Sequence, residues 1–217
     1  MTQQRRIGLT GGIATGKSSV ARCLNEQHGL PVLDADQFAR EVLAPGTAAT
    51  RAVIERYGPA LQVPQAAGGR VAVDRAALAR LVFANAAERH WLEGLVHPLV
   101  RHRMGEALDQ LAVSPVVVLM IPLLFEAGLE SLCTEIWVVD CGDANEQIRR
   151  LRARDGLTLD AARARLAAQW PMEAKRARAD VIIDNSGGLE MWTEHVAAAL
   201  DRDPPPRTLS AAPPPAA

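Results

Sequence analysis

With 217 residues, 48% of them hydrophobic, the chain can bury a substantial core in one domain, which argues against a disordered or fibrous protein. Its 24 Lys and Arg against 25 Asp and Glu leave a net charge of −1, so no basic excess points to nucleic acid or an anionic membrane. Cys23, Cys133 and Cys141 are odd in number and lack C-x-x-C spacing, which speaks against a disulfide framework or zinc site and suits core packing in a reducing compartment.

In chain order, Met1–Arg6 is followed by only about four residues before a glycine loop, short of the roughly 7 to 15 apolar residues of a signal peptide. The longest apolar stretch, Val116 to Phe125, contains Pro122 and falls short of the roughly 20 residues that span a bilayer. A soluble, cytoplasmic protein is expected. Ile7 to Thr10 reads as a buried first strand. It runs into Gly11-Gly12-Ile13-Ala14-Thr15-Gly16-Lys17-Ser18, which fits G-x-x-x-x-G-K-[ST] without a mismatch in the strand–loop–helix setting of a P-loop. The backbone N–H groups of such a loop curl around phosphate, which needs glycine conformations and close approach. Lys17 adds a charge, the helix start adds its dipole, and the Ser18 hydroxyl can ligate Mg²⁺. Lysine occurs only at Lys17 and Lys175, so its presence at 17 suggests that a compact ammonium fits between loop and phosphates where an arginine fork would not.

Lys17 to His28 reads as a helix ended by Gly29, and Leu30 to Leu33 as a second strand closed by Asp34-Ala35-Asp36. A helical pattern from Gln37 to Tyr57 breaks at Pro45-Gly46, and Gly58 to Val73 reads as loop. Asp74 and Asn85 suit the N-caps of two helices, and a further helix is expected from about His97-Pro98 to Val113. Residues from about 37 to 113 thus form a helical insertion that would wall a second-substrate site. Val116 to Ile121 reads as a strand covered on both faces, followed by Pro122-Leu123-Leu124-Phe125-Glu126. Glu135 to Asp140 is a fourth strand. A helix from about Asn145 to Asp155 carries Arg149, Arg150, Arg152 and Arg154, Thr158 caps the next, and residues 145–178 suit a small lid. Asp180 to Asp184 is a fifth strand, Asn185 opens a turn, and Leu189 to Leu200 is a closing helix. The Pro- and Ala-rich stretch 203–217 is expected to be disordered.

This order predicts an α/β fold over residues 1–202, with a five-stranded parallel sheet and helices on both faces. Ligands bind at the carboxyl ends of such strands, where the P-loop, Asp34, residues 122–126 and Asn185 should converge. A nucleotide held there with Mg²⁺ can donate its γ-phosphoryl group, and Asp34 is placed to hold an acceptor hydroxyl and take its proton. The alternative reading of Asp34 is a helix cap, and Asp36 could cap the helix starting at Gln37. Arg150 and Arg154, at i and i+4, either close over the triphosphate or belong to a solvated face.

Seven pieces in order over residues 7–187 resemble the dephospho-CoA kinases: the P-loop, Leu-Asp-Ala-Asp with Ala39-Arg40-Glu41, His97-Pro98, Pro-Leu-Leu-Phe-Glu, Arg-Leu-x-x-Arg-Asp, Gln169 and Ala179-Asp-x-x-Ile-x-Asn185. The resemblance implies a P-loop kinase that uses ATP and Mg²⁺ to phosphorylate the ribose 3′-hydroxyl of dephospho-CoA, the last step of coenzyme A synthesis. It implies that Gly12 to Ser19 hold the ATP phosphates, that Asp34 orients and deprotonates the hydroxyl, that Arg150 belongs to a lid, and that Asn185 lies near the adenine. Arg40, His97, Pro122, Leu123, Leu124 and Glu126 would face dephospho-CoA, although His97 could instead organise a helix start. Ala14-Thr15 replaces the family's Gly-Ser, a small change that phosphate binding should survive. Met120 stands where many P-loop proteins place a Mg²⁺-bound acid, so Ser18, phosphate oxygens and water would hold the ion, with Asp34 or Glu126 outside them. A GTP switch is disfavoured by the lack of Asn-Lys-x-Asp. A ring ATPase would usually borrow its arginine finger from a neighbour. A nucleoside monophosphate or other small-molecule kinase differs only in its acceptor, and a monomer or small homo-oligomer is expected.

Overall fold

Five short apolar runs pair in parallel: β1 (Arg5–Gly11), β2 (Val32–Asp34), β5 (Val116–Met120), β6 (Glu135–Asp140) and β7 (Val181–Asp184), in the order β2-β5-β1-β6-β7. The computed structural model describes residues 4–64, 71–187 and 189–203, so the expected disordered tail lies outside them from residue 204 on. The chain divides into two units, residues 35–107 in one and the rest, with the sheet, in the other.

Alternation along the central strands explains their near-continuous hydrophobicity. Ile7, Leu9, Val118, Trp137, Val139 and Ile183 face a core completed by Val20, Ala21 and Leu24 of α1 (Lys17–Glu26) and Trp192, Val196 and Ala199 of α9 (Leu189–Asp201). Val117, Leu119, Ile136 and Val138 point the other way and are equally buried, as a sheet covered on both faces requires. The three cysteines are buried and none of them is in a disulfide, as expected of core fillers. The buried Glu135 is paired with Arg5, whose guanidinium also donates to the carbonyls of Ala199 and Leu200 at the end of α9. That contact ties the first strand to the last helix. No helix among the described residues is long and apolar enough to cross a membrane.

The second unit comprises α2 (Ala35–Val42), α3 (Ala48–Tyr57), a 3-10 turn at Pro59–Leu61, an antiparallel ribbon of β3 (Gln62–Pro64) and β4 (Val71–Val73), α4 (Arg75–Ala84) and most of α5 (Ala86–Gln110). Its core is Val53, Leu61, Val73 and Leu78, with Trp91 edge-on to Tyr57 and Arg56 lying over Trp91. Asp74 and Asn85 cap α4 and α5 through their side chains, as the sequence predicts. Three expectations need correction. Residues 58–73 are not simply a loop, since three-residue strands pair across them. No helix begins at His97, because α5 runs through Pro98. The proline removes the bond to the Gly94 carbonyl at a cost of about 3 kcal/mol. Val96, Val100, Met104 and Leu108, one turn apart and all buried, offset it. Asp36 lies inside the first turn of α2, not before it, so it is no cap.

The remaining elements return to the first unit: α6 (Ala144–Asp155), capped by Asp143 and closed by Gly156, α7 (Leu159–Ala167), capped by Thr158, and a short α8 (Met172–Arg176) that the sequence did not suggest. The first helix ends at Glu26, two residues before His28, and Gly29 follows with its amide bonded to the Asn25 carbonyl.

Candidate phosphoryl-transfer site

Register aligns the chemistry at one end of the sheet. Leu9 pairs with Met120, and Met120 pairs with Asp34, so Asp34 ends β2 two strands away from the point where β1 enters the P-loop. At about 4.8 Å per strand, that is about 10 Å across the sheet. On the other side, Gly11 pairs with Val139, and Asp140 with Asp184, which brings Asn185 to the same end.

The loop has the conformation its sequence implies. Gly11 and Gly16 have φ of 149° and 101°, where a side chain would be strained. A Cβ on Gly12 would run into the Gln147 amide and the Met172 sulfur, and one on Gly16 into the Asn185 amide. Ala14 adopts φ 60°, the left-handed region that costs an L-residue about 1–2 kcal/mol. Ala14, where the resemblance implies glycine, is therefore carried with strain rather than freely. The Thr15 hydroxyl, buried, donates to the Gly12 carbonyl at 3.0 Å. Lys17 Nζ donates to the carbonyls of Gly12 (2.5 Å) and Gly11 (3.2 Å), which keeps the ammonium curled over the loop. Ser18 and Ser19 are exposed in the first turn of α1.

The loop is also gripped by side chains far away in sequence. Gln147 Nε2 donates to the Ile13 carbonyl, and the Ile13 amide donates to Gln169 Oε1, both at 2.9 Å. Asn185 Nδ2 donates to the Thr15 carbonyl at 2.8 Å, so the Asn185 side chain supports the loop. Arg150 bridges Glu146 (2.6 Å) and the Asn185 carbonyl (2.9 Å). Hydrogen bonds from Arg149 and Arg150 hold the Glu146 carboxyl down at about 2. Arg154 does not join Arg150: it pairs with Asp155, which Arg165 also contacts. The two arginines expected to act together are thus engaged with different partners.

Pro122 accepts a hydrogen bond from Thr10 at its carbonyl, Leu123 is exposed, and Leu124 and Phe125 are buried. Glu126 does not present a free carboxylate: its Oε1 stands 2.8 Å from Lys175 Nζ and accepts from the Trp170 amide at 2.9 Å. Lys175 is completely buried, and its ammonium meets Glu126 without the alignment of a hydrogen bond. Trp170 stacks on Phe125 at 6.0 Å and lies under Arg178, which suits a packing tryptophan. Sequence reasoning missed Gln147 and Lys175. Among the described residues no group of three or more His, Cys, Asp or Glu could hold a metal, so a Mg²⁺ ion would depend on Ser18 and on ligand oxygens.

Arg40 and His97 belong to the second unit. Arg40 accepts at its carbonyl from Arg75 and helps line a cavity of about 240 Å³ with Leu43, Leu78 and Val82. His97 is half-buried within α5, and burial pushes its imidazole below the ordinary 6.5, against the opposing pull of Glu93. A folded-state value below the unfolded one means that stability is full above pH 6.5 and falls as pH drops through the lowered value. We expect unfolding midpoints to decline between pH 7.5 and 5.5, and His97→Asn to flatten that decline. An equal decline in both proteins would dissociate it from His97.

A family model described as dephospho-CoA kinase matches residues 5–191. A dephospho-CoA kinase of Synechococcus sp. (strain CC9605) is 59% identical over 201 residues, covering 93% of this chain and 94% of the relative. Among solved structures, TT1252 from Thermus thermophilus is 39% identical with a TM-score of 0.75, covering 92% of this chain and 97% of that one. Dephospho-CoA kinase from Campylobacter jejuni is 25% identical with a TM-score of 0.65, covering 91% and 96%.

Proposed function

Since the chain belongs to the dephospho-CoA kinase family, we propose that it transfers the γ-phosphoryl group of ATP to the ribose 3′-hydroxyl of dephospho-CoA, giving coenzyme A and ADP in the cytoplasm. The observation that carries the chemistry is the register Leu9–Met120–Asp34, which sets a carboxylate at the strand ends beside a P-loop. Asp34 accepts the proton of the acceptor hydroxyl as that oxygen attacks the γ-phosphorus. Lys17 leaves its loop carbonyls and donates to phosphate oxygens, matching negative charge where it builds up. The amides at the start of α1 bind the same phosphates. Arg150, placed by Glu146 against the Asn185 carbonyl, supplies charge from the lid side. Ser18 would hold Mg²⁺, which when bound would screen charge on the triphosphate.

Pro122, Leu123 and Leu124 are the residues we assign to dephospho-CoA. Glu126 enters through Lys175 and Trp170, as a brace for that stretch. The test is product formation with ATP and Mg²⁺, read by mass spectrometry, with dephospho-CoA, adenosine monophosphate and no acceptor side by side. Coenzyme A from the first alone is the expected result. Equal ADP without acceptor would make the protein an ATPase, and phosphorylation of the monophosphate would keep the donor site but replace the acceptor.

A further inference from the structure

Gln147 and Gln169 have no part in the reaction above, yet they address the two backbone groups of one P-loop residue. Gln147 is on α6 and almost fully buried, and a buried amide is costly unless its polar atoms are bonded. Its Nε2 donates to the Ile13 carbonyl, while Gln169, in the turn after α7, accepts from the Ile13 amide. Two residues on, Asn185 holds the Thr15 carbonyl. Between these anchors sits Ala14 at φ 60°, a conformation that a non-glycine residue keeps only where its surroundings over-determine it. Gly12 lacks a Cβ where the Gln147 amide lies, so the fit between clamp and loop is close.

We propose that Gln147 and Gln169 are positioning residues for ATP: a two-amide clamp on Ile13 that holds the P-loop, with Ala14 in its left-handed conformation, in the shape that receives the phosphates. The clamp has a polarity. Gln147 must donate and Gln169 must accept. It also ties the donor site to the α6–α7 pair, so that a shift of those helices changes nucleotide affinity. The inference rests on reading residues 11–18 as the ATP loop, and it is independent of which acceptor is used.

The polarity supplies the test. Gln147→Glu and Gln169→Glu add the same charge and almost the same volume. At 147 the donor is lost and a carboxylate oxygen faces the Ile13 carbonyl, whereas at 169 the acceptor is kept. ATP dissociation constants would be measured by calorimetry with Mg²⁺ and no acceptor, alongside KM values for both substrates. Q147E is expected to bind ATP about tenfold more weakly than Q169E, with the acceptor KM unchanged. A ratio of about threefold or less, or the reverse order, overturns the clamp, as does a parallel rise in both KM values. Should Q147E not fold, Gln147→Met replaces it, and an ATP affinity equal to that of the unsubstituted chain overturns the proposal. A wrong acceptor leaves these results intact, while failure of the unsubstituted chain to bind ATP strikes the P-loop reading itself.

Discussion

Asp34→Asn is expected to lower kcat by about 10²–10⁴-fold while leaving ATP affinity and thermal stability nearly unchanged. The substitution separates the two readings of Asp34, a proposed base and a helix cap. It ends β2 and immediately precedes Ala35, the first residue of α2, which is the place of a helix cap as well as that of a base. Asparagine caps helices about as well as aspartate, so the structural role survives. An amide cannot accept the hydroxyl proton, so the chemical role does not. Single-turnover measurement at saturating ATP isolates the step from binding. Turnover equal to that of the unsubstituted enzyme would remove Asp34 from catalysis and leave it as a cap.

Residues with contiguous signals were legible in the sequence. The run Val116 to Ile121 reads as a strand buried on both sides and β5 occupies Val116–Met120 of it, Thr158 and Asp74 announced their helices through hydroxyl and carboxylate caps, and the P-loop is one unbroken segment whose geometry follows from its glycines. Errors arose where a local rule met a tertiary one. Pro98 reads as a helix start, but the buried stripe of Val96, Val100, Met104 and Leu108 carries α5 past it. The β3–β4 ribbon has three residues on each side, too few for alternation to register.

In the site, the residues we assign to phosphate were readable, and those that hold them in place were not. Ile13 meets Gln147 across a separation of 134 residues, and Gln169 across 156, and no pattern on either side marks the partner. Asn185 shows the same limit in another form. Its place at the carboxyl end of the last strand was evident, whereas the attachment of its amide to Thr15 depends on how two loops meet. Lys175 did leave a trace. In a chain that otherwise uses arginine for positive charge, the scarcity that singled out Lys17 applies to Lys175 with equal force.

Lys175→Met should therefore destabilise the protein severely, by about 3–5 kcal/mol, out of a total that for domains of this kind is about 5–15 kcal/mol. The ammonium is fully buried, and the Glu126 side chain it faces is 16% exposed. Methionine fills the volume of the aliphatic stem, so the loss is not one of packing. It is the cost of leaving the Glu126 carboxylate in a poorly solvated place with Oε1 held by the Trp170 amide and Oε2 without a hydrogen-bond partner. Removing the carboxylate as well should recover most of the stability, because a buried pair replaced whole by uncharged groups is often neutral. Urea unfolding of K175M, Glu126→Gln and the double variant closes the cycle. The expected result is a double variant more stable than K175M alone. Additive losses would mean that the two residues act separately, and a K175M loss under about 1 kcal/mol would mean that the pair is solvated in the folded protein. Because the pair joins α8 to the stretch 122–126, the same cycle read through the acceptor KM would show whether that brace also shapes the acceptor side. A KM restored along with stability in the double variant would identify position, not charge, as what Lys175 supplies.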